Sequence, residues 1–315
     1  MSFNLDKLSY DGKSLSVTVI KDDLTDFAFY VLLAGKKLDT KWYSKDNLSG
    51  LDVPLSIGKA YSLILFFRPN AERTKEEEKI VRKIFFKIDE DNVIYIIPDN
   101  LLYETENIKI TEYDQGSNIT FITFNSAYTN KTSNAFGGDF VLSEGWNLIS
   151  VHKHNRNQYQ DLSLKIFEDY VKPKTVGKRT YMYGTSLGGY SGLYFGGIVD
   201  ATIIAGAPML PVHPTANHPH YSDIEYKHIP IKDTKKTSKP VFVLHDPLQE
   251  SDSRFIKKHV LPAYPLAYFI PVKGGTHLVM KTLISKRLLK DTIRDLVDHN
   301  SFDAINRIVI AMDQK

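Results

Sequence analysis

The stretch Gly184-Thr185-Ser186-Leu187-Gly188-Gly189 constrains the fold of this chain more than any other. A strand-like run, Lys178-Arg179-Thr180-Tyr181-Met182-Tyr183, leads into it. Tyr190-Ser191-Gly192-Leu193-Tyr194-Phe195 follows, with small and apolar residues at helical spacing. A G-x-S-x-G pattern between a strand and a helix reads as a nucleophile elbow, a turn so tight that its serine is held in a strained conformation and its glycines let two backbones pass closely. Such a turn belongs at the edge of a sheet whose strands alternate with helices.

The rest of the chain falls into two patterns. Up to about residue 90, short alternating or aromatic runs such as Leu15-Ser16-Val17-Thr18-Val19 are separated by turn signals at Asp11-Gly12, Ala34-Gly35 and Ile57-Gly58. This predicts a small β-sandwich, immunoglobulin-like in its spacing, over residues 1–90. The charged stretch 72–79 reads as a solvated loop or short helix. Residues 91–315 alternate strands with helices and predict a mainly parallel sheet covered on both faces. Strands are expected at 93–97, 119–124, 147–151, 179–183, 201–205, 241–244 and 267–272. Helices are expected at 138–143, 162–171, 187–196, 253–260, 283–299 and 302–312.

Serine needs a base beside it, and that base needs a carboxylate to orient it. Lys273-Gly274-Gly275-Thr276-His277 supplies a histidine after a late strand and a glycine turn. The acid is sought in the loop after strand 241–244, which holds Asp246, Glu250 and Asp252. Asp246 is the first choice because it directly follows the strand and precedes a proline. Asp252 and Glu250 stand as alternatives, Asp252 having a plainer role as a helix N-cap. The oxyanion of an acyl intermediate needs two donors. The amide of Leu187 is one, and the loop after strand 119–124, at Ser126 and Ala127, is expected to supply the other.

Between residues 208 and 239 the alternation lapses, and the segment holds Pro208, Pro211, Pro214, Pro219 and Pro230 with His213, His218, His220 and His228. A connection of this length reads as a lid-like insertion or binding loop. His218-Pro219-His220 is not read as a metal site, because the proline breaks helical register and no acidic cluster follows at ligand spacing.

Composition narrows the function classes. The formal net charge is +3 and the basic residues are scattered, apart from 232–239, so nucleic-acid binding is not expected. The absence of cysteine removes disulfides, thiolate metal sites and cysteine nucleophiles. No apolar run has the length of a transmembrane segment, and the first residues lack a signal-peptide pattern, so a cytoplasmic location is expected.

Taken with the elbow and late histidine, Phe124-Asn125-Ser126, Gly145-Trp146-Asn147-Leu148-Ile149-Ser150 and Gln158-Tyr159-Gln160-Asp161 give residues 92–315 a recognisable cast. The region resembles an α/β-hydrolase, and within that superfamily an atypical branch. That branch is associated with bacterial capsule biosynthesis and accessory-secretion glycan modification and includes serine-dependent sugar O-acetyltransferases. The resemblance implies acyl transfer through Ser186, with acetyl-CoA as donor and a glycan or polysaccharide as acceptor, and no bound cofactor. Tyr159 and Gln160, with segment 208–239, would then shape the acceptor pocket. An N-terminal β-sandwich suits the branch as a glycan-facing module. A carbohydrate esterase or deacetylase, or another serine hydrolase, is the close alternative, since one triad serves both transfer and hydrolysis. A hydrolase-like scaffold kept for assembly is the non-enzymatic alternative. The chain is also compatible with a homo-oligomer or a biosynthetic complex.

Overall fold

A computed structural model describes residues 3–69, 80–154, 156–216, 219–299 and 301–313. The charged stretch 72–79 and His218 lie outside them. The chain divides into two units.

The first unit comprises Met1–Asp99 with two later segments, Tyr113–Ser117 and Asp139–Asn147. Its strands are β1 (Asn4–Tyr10), β2 (Ser14–Ile20), β3 (Thr25–Leu33), β4 (Lys36–Ser44), β5 (Leu48–Asp52), β6 (Ala60–Pro69), β7 (Ile80–Ile88) and β8 (Ile94–Ile97). They form two antiparallel sheets, ordered β1-β2-β5 and β4-β3-β6-β7-β8. Period-two alternation explains why the sheets pack face to face. Leu15, Val17 and Val19 of β2 share one buried cluster with Phe27, Phe29 and Val31 of β3 and Leu63, Leu65 and Phe67 of β6. Each such side chain contributes about 1.5–3 kcal/mol by leaving water. Asp139 belongs to this unit through an ion pair to Lys83 at 2.8 Å. The strand expected at 93–97 to open the second region is instead β8, which pairs with β7 from Phe85↔Ile97 to Ile88↔Ile94.

The second unit holds an eight-stranded sheet. Its strands are β9 (Asn100–Glu104), β10 (Ile108–Tyr113), β11 (Ile119–Phe124), β12 (Asn147–Lys153), β13 (Arg179–Thr185), β14 (Thr202–Gly206), β15 (Val241–His245) and β16 (Tyr268–Pro271). The spatial order is β9-β10-β12-β11-β13-β14-β15-β16. The five strands from β11 to β16 in that order are parallel, and β9 pairs antiparallel with β10. The β9–β10 hairpin has no counterpart in the sequence reading: β9 is exposed or half exposed, and β10, though largely buried, carries only two aliphatic side chains, Ile108 and Ile110, among polar residues.

The helices are α1 (Gly138–Ser143), α2 (Leu164–Tyr170), α3 (Leu187–Phe195), α4 (Glu250–Phe255), α5 (Val279–Ser285), α6 (Leu289–Val297) and α7 (Ser301–Asp313). α4 continues into a π-helical turn over Ile256–Val260. The single helix expected at 283–299 is two, α5 and α6, parted at Arg287, whose φ of 60° ends a right-handed helix. Phe124, Met182, Leu193, Phe195 and Ile203 meet in the core of this unit. β12 is buried along its whole length, as a strand covered on both faces must be.

Candidate active site

Ser186 stands between β13 and α3 with φ 55° and ψ −119°, outside the conformations a serine ordinarily adopts. The turn is closed by hydrogen bonds: the Ser186 amide donates to Gly206 O at 2.8 Å, and its carbonyl accepts from Tyr190 and Met209. Close approach explains two of the glycines. A Cβ on Gly184 would lie 2.4 Å from the Gly188 carbonyl carbon, and one on Gly188 would lie 2.3 Å from Phe124 O. No other residue type permits this crossing of β11, β13 and α3.

The serine hydroxyl lies 2.8 Å from His277 Nε2, and His277 Nδ1 lies 2.9 Å from both carboxylate oxygens of Asp252. Nδ1–H therefore donates to Asp252, leaving the Nε2 lone pair to accept the serine proton. Asp252 is 1% exposed and His277 37%, so the acid is shielded while the imidazole stays reachable.

The acid on the histidine is thus Asp252 and not Asp246, the first choice from sequence. Asp246 is buried, but its carboxylate is taken up by backbone amides: Oδ2 accepts from Thr276 at 2.8 Å and Oδ1 from Leu248 at 3.1 Å. Thr276, at φ 50°, needs that anchor to hold the loop carrying His277. Asp252 is not a cap; the N-cap of α4 is Gln249, and Asp252 lies within the helix. Glu250 opens α4 exposed to solvent.

In chain order the sheet runs one-two-four-three-five-six-seven-eight, with serine after the fifth strand, acid after the seventh and histidine after the eighth. This is the α/β-hydrolase fold.

Comparisons with protein-family models and with curated proteins gave no match. Among solved structures, the capsule O-acetyltransferase of Neisseria meningitidis serogroup A is similar at 14% identity and a TM-score of 0.47, covering 66% of this chain and 97% of that one. An α/β serine hydrolase without a lid from Xanthomonas campestris is similar at 13% identity and a TM-score of 0.37, covering 62% of this chain and 98% of that one. The dienelactone hydrolase of Anabaena variabilis is similar at 12% identity and a TM-score of 0.35, covering 60% of this chain and 94% of that one.

In this α/β-hydrolase unit Ser186 and His277 open onto a cavity of about 320 Å³. Leu187 begins α3, where first-turn amides have no intrahelical acceptor and the helix dipole favours negative charge. Ala127 and Tyr128 line the same cavity. Ser126 is half buried, and its carbonyl accepts the Thr129 hydroxyl. The loop is tied down from beneath. Lys153, fully buried, donates Nζ to Ala127 O and Thr129 O, each at 2.9 Å. Burial pulls its ammonium down to about 8. Asn125 donates Nδ2–H to Asn134 O and accepts the Phe136 amide, and it meets His152 Nδ1 at 3.2 Å. Burial, then Lys109, pushes His152 down to about 4, so Nδ1 accepts from that amide.

Tyr159 and Gln160, expected to meet the acceptor, are buried and do not line this cavity. Tyr159 is 0% exposed, and its hydroxyl accepts the Asn125 amide at 2.8 Å while donating to Val151 O at 2.9 Å. Gln160 Oε1 accepts the Lys227 amide, Gln158 Oε1 the Val212 amide, and Asp161 pairs with Lys227 Nζ at 2.6 Å. The Gln158–Asp161 element therefore pins segment 208–239 to the sheet. His228 completes the anchorage: Nδ1 meets the Tyr190 hydroxyl at 3.0 Å, Nε2 meets Tyr159 O at 2.9 Å, and the ring stacks on Tyr194. A carbonyl can only accept, so Nε2–H donates and Nδ1 takes the tyrosine proton. Burial pushes this histidine down to about 4.

Segment 208–239 does reach the cavity, through Met209, Pro211, Thr215, Ala216 and Tyr221. The sequence reading missed Arg254, Lys258 and His259, which also line it. Their signal was present: Arg254 and Lys258 are four apart, directly after the acid. Among the described residues no group of acids, histidines or cysteines is placed to hold a metal ion, and no helix is long and apolar enough to cross a membrane.

Proposed function

We propose that this chain is a serine-dependent acyltransferase that moves an acetyl group from a thioester donor to a sugar hydroxyl of a bacterial glycan. The observation that carries the reading is the continuous relay Asp252–His277–Ser186, at 2.9 and 2.8 Å, opening on a cavity of about 320 Å³. The motif resemblance of residues 92–315 to sugar O-acetyltransferases supports the choice of acceptor.

Chemistry follows from the geometry. His277 Nε2 takes the Ser186 proton as Oγ attacks the acetyl carbonyl carbon. The resulting oxyanion is met by the Leu187 amide and an amide of the 126–128 loop; one such donor is worth about 2.7–4 kcal/mol in the transition state. Collapse breaks the carbon–sulfur bond, and the leaving thiolate takes the proton from Nε2. An acceptor hydroxyl then gives its proton to Nε2 while its oxygen attacks the acetyl-serine. A second collapse releases the sugar ester and returns the proton to Ser186. Asp252 holds the imidazole in the productive tautomer.

Hydrolysis is the second reading, favoured by the exposure of His277, which lets water compete for the acyl-enzyme. Incubation with acetyl-CoA, with and without oligosaccharide acceptors, separates the two, with Ser186→Ala as control. Transfer is supported by acetyl-CoA turnover that requires an acceptor, and hydrolysis by acceptor-independent release of acetate. Equal turnover by wild type and Ser186→Ala contradicts both.

A further inference from the structure

Two cations share the nucleophile's cavity, and the acyl-transfer chemistry uses neither. Arg254 lies in α4 and Lys258 in the π-helical turn that continues it; both are exposed and both line the cavity holding Ser186. Neither makes an ion pair with an acid of the described residues. The acid in the cavity wall is Asp252, which is buried and spent on His277. The opening of the cavity is therefore positive.

Fold stability does not account for the pair. Like charges four apart on a helix repel and weaken it. The field of Lys258 reaches the neighbouring imidazoles. Burial, then His259 and Lys258, pushes His213 down to about 4, and burial, then Lys258, lowers His259. Thr215 Oγ1 bridges those rings, 2.9 Å from His213 Nδ1 and 2.7 Å from His259 Nε2, and lines the same wall. Met209 and Phe255 supply apolar surface beside the cations, which lowers the local dielectric and strengthens their pull.

We propose that Arg254 and Lys258 form an anion subsite beside Ser186 that binds a phosphate or carboxylate carried by one of the two reactants. A planar guanidinium and a mobile ammonium suit a tetrahedral or planar anion approaching from solvent. Two sources share this chemistry: the phosphates of a nucleotide thioester donor, or the acid groups of an anionic glycan acceptor. The inference rests on the acyl-transfer reading for treating the ligand as a reactant, so its test is a binding measurement that needs no turnover.

The full chain carrying Ser186→Ala is titrated calorimetrically with two matched pairs. Acetyl-CoA is compared with S-acetylpantetheine, which lacks the phosphates and the adenosine; the Arg254→Gln/Lys258→Gln variant separates the two contributions. A uronic-acid oligosaccharide is compared with its neutral counterpart. The anionic member of one pair binds about ten-fold tighter or more, equivalent to about 1.4 kcal/mol. That advantage shrinks as salt rises from about 0.05 to 0.5 M. It is lost with Arg254→Gln/Lys258→Gln and largely kept with Arg254→Lys. The pair showing it names the source. An absence of anionic preference in both pairs overturns the proposal, as does a preference that survives the double substitution. A failure of the serine mechanism shows instead as wild-type protein without Ser186-dependent turnover, whatever the calorimetry reports.

Discussion

Asp246 Oδ2 accepts the backbone amide of Thr276 at 2.8 Å, one residue before the histidine whose imidazole is held by Asp252. Two acids that follow β15, one in the loop and one in α4, thus divide the work: the first shapes the histidine loop and the second orients the ring.

Their substitutions separate accordingly. Asp252→Asn keeps the shape but favours the wrong imidazole tautomer, and kcat falls by about 10⁴. Asp246→Ala strips the Thr276 and Leu248 amides of their acceptor and lowers stability by about 1–3 kcal/mol, with a smaller loss of kcat. Steady-state kinetics beside thermal melts check the division. A larger kcat loss for Asp246→Ala than for Asp252→Asn would reverse the assignment.

Lys153 gives the proposed oxyanion loop at 126–129 a pH dependence. Its folded-state value of about 8 lies below the ordinary 10.5, so its charge beneath Ala127 and Thr129 disappears as pH rises through about 8. We expect kcat to decline on that limb, and Lys153→Met, lower in kcat by about ten-fold or more, to lack it. Lys153→Arg, always charged, keeps its rate to higher pH. The stability term has the opposite sense. The unfolded chain binds more protons between about 8 and 10.5, so this group adds stability as pH rises there. Parallel pH–rate and pH–melting profiles separate the two.

Buried neutral histidines make the fold sensitive to acid. His152 and His228 are each pushed from 6.5 to about 4. Their contribution is present above 6.5 and is lost as pH falls toward 4, because the unfolded chain takes up protons there first. Each contributes up to about 3 kcal/mol by linkage. Melting temperature is expected to hold above pH 6.5 and fall steeply below it. Removing one of these histidines lowers stability at neutral pH but flattens that slope; an unchanged slope contradicts the account.

Much of the second unit was legible because its central strands are apolar and aromatic runs, so 119–124, 179–183 and 241–244 read almost as they stand. The strand–serine–helix order was equally plain, since Gly184 and Gly188 are forced by backbone contact. The choice of acid was not. Order along the chain places three carboxylates in one loop, and only their reach in space tells which one meets the imidazole and which are taken by amides or solvent. Tyr159 and Gln160 misled for a related reason. Aromatic and amide side chains suit sugars, yet the same hydroxyl and amide groups satisfy buried backbone, which is what they do here. Ile94–Ile97 looked like the opening of the second region, but strand pairing gives it to the first.

The central claim is a covalent acyl-enzyme at Ser186, and rapid-quench mass spectrometry of the full chain with acetyl-CoA tests it most directly. The account predicts one added acetyl group on the peptide carrying Ser186, formed faster than steady-state turnover and absent in Ser186→Ala. Continued turnover by Ser186→Ala, or wild-type turnover with the acetyl group found only on another residue, would contradict it.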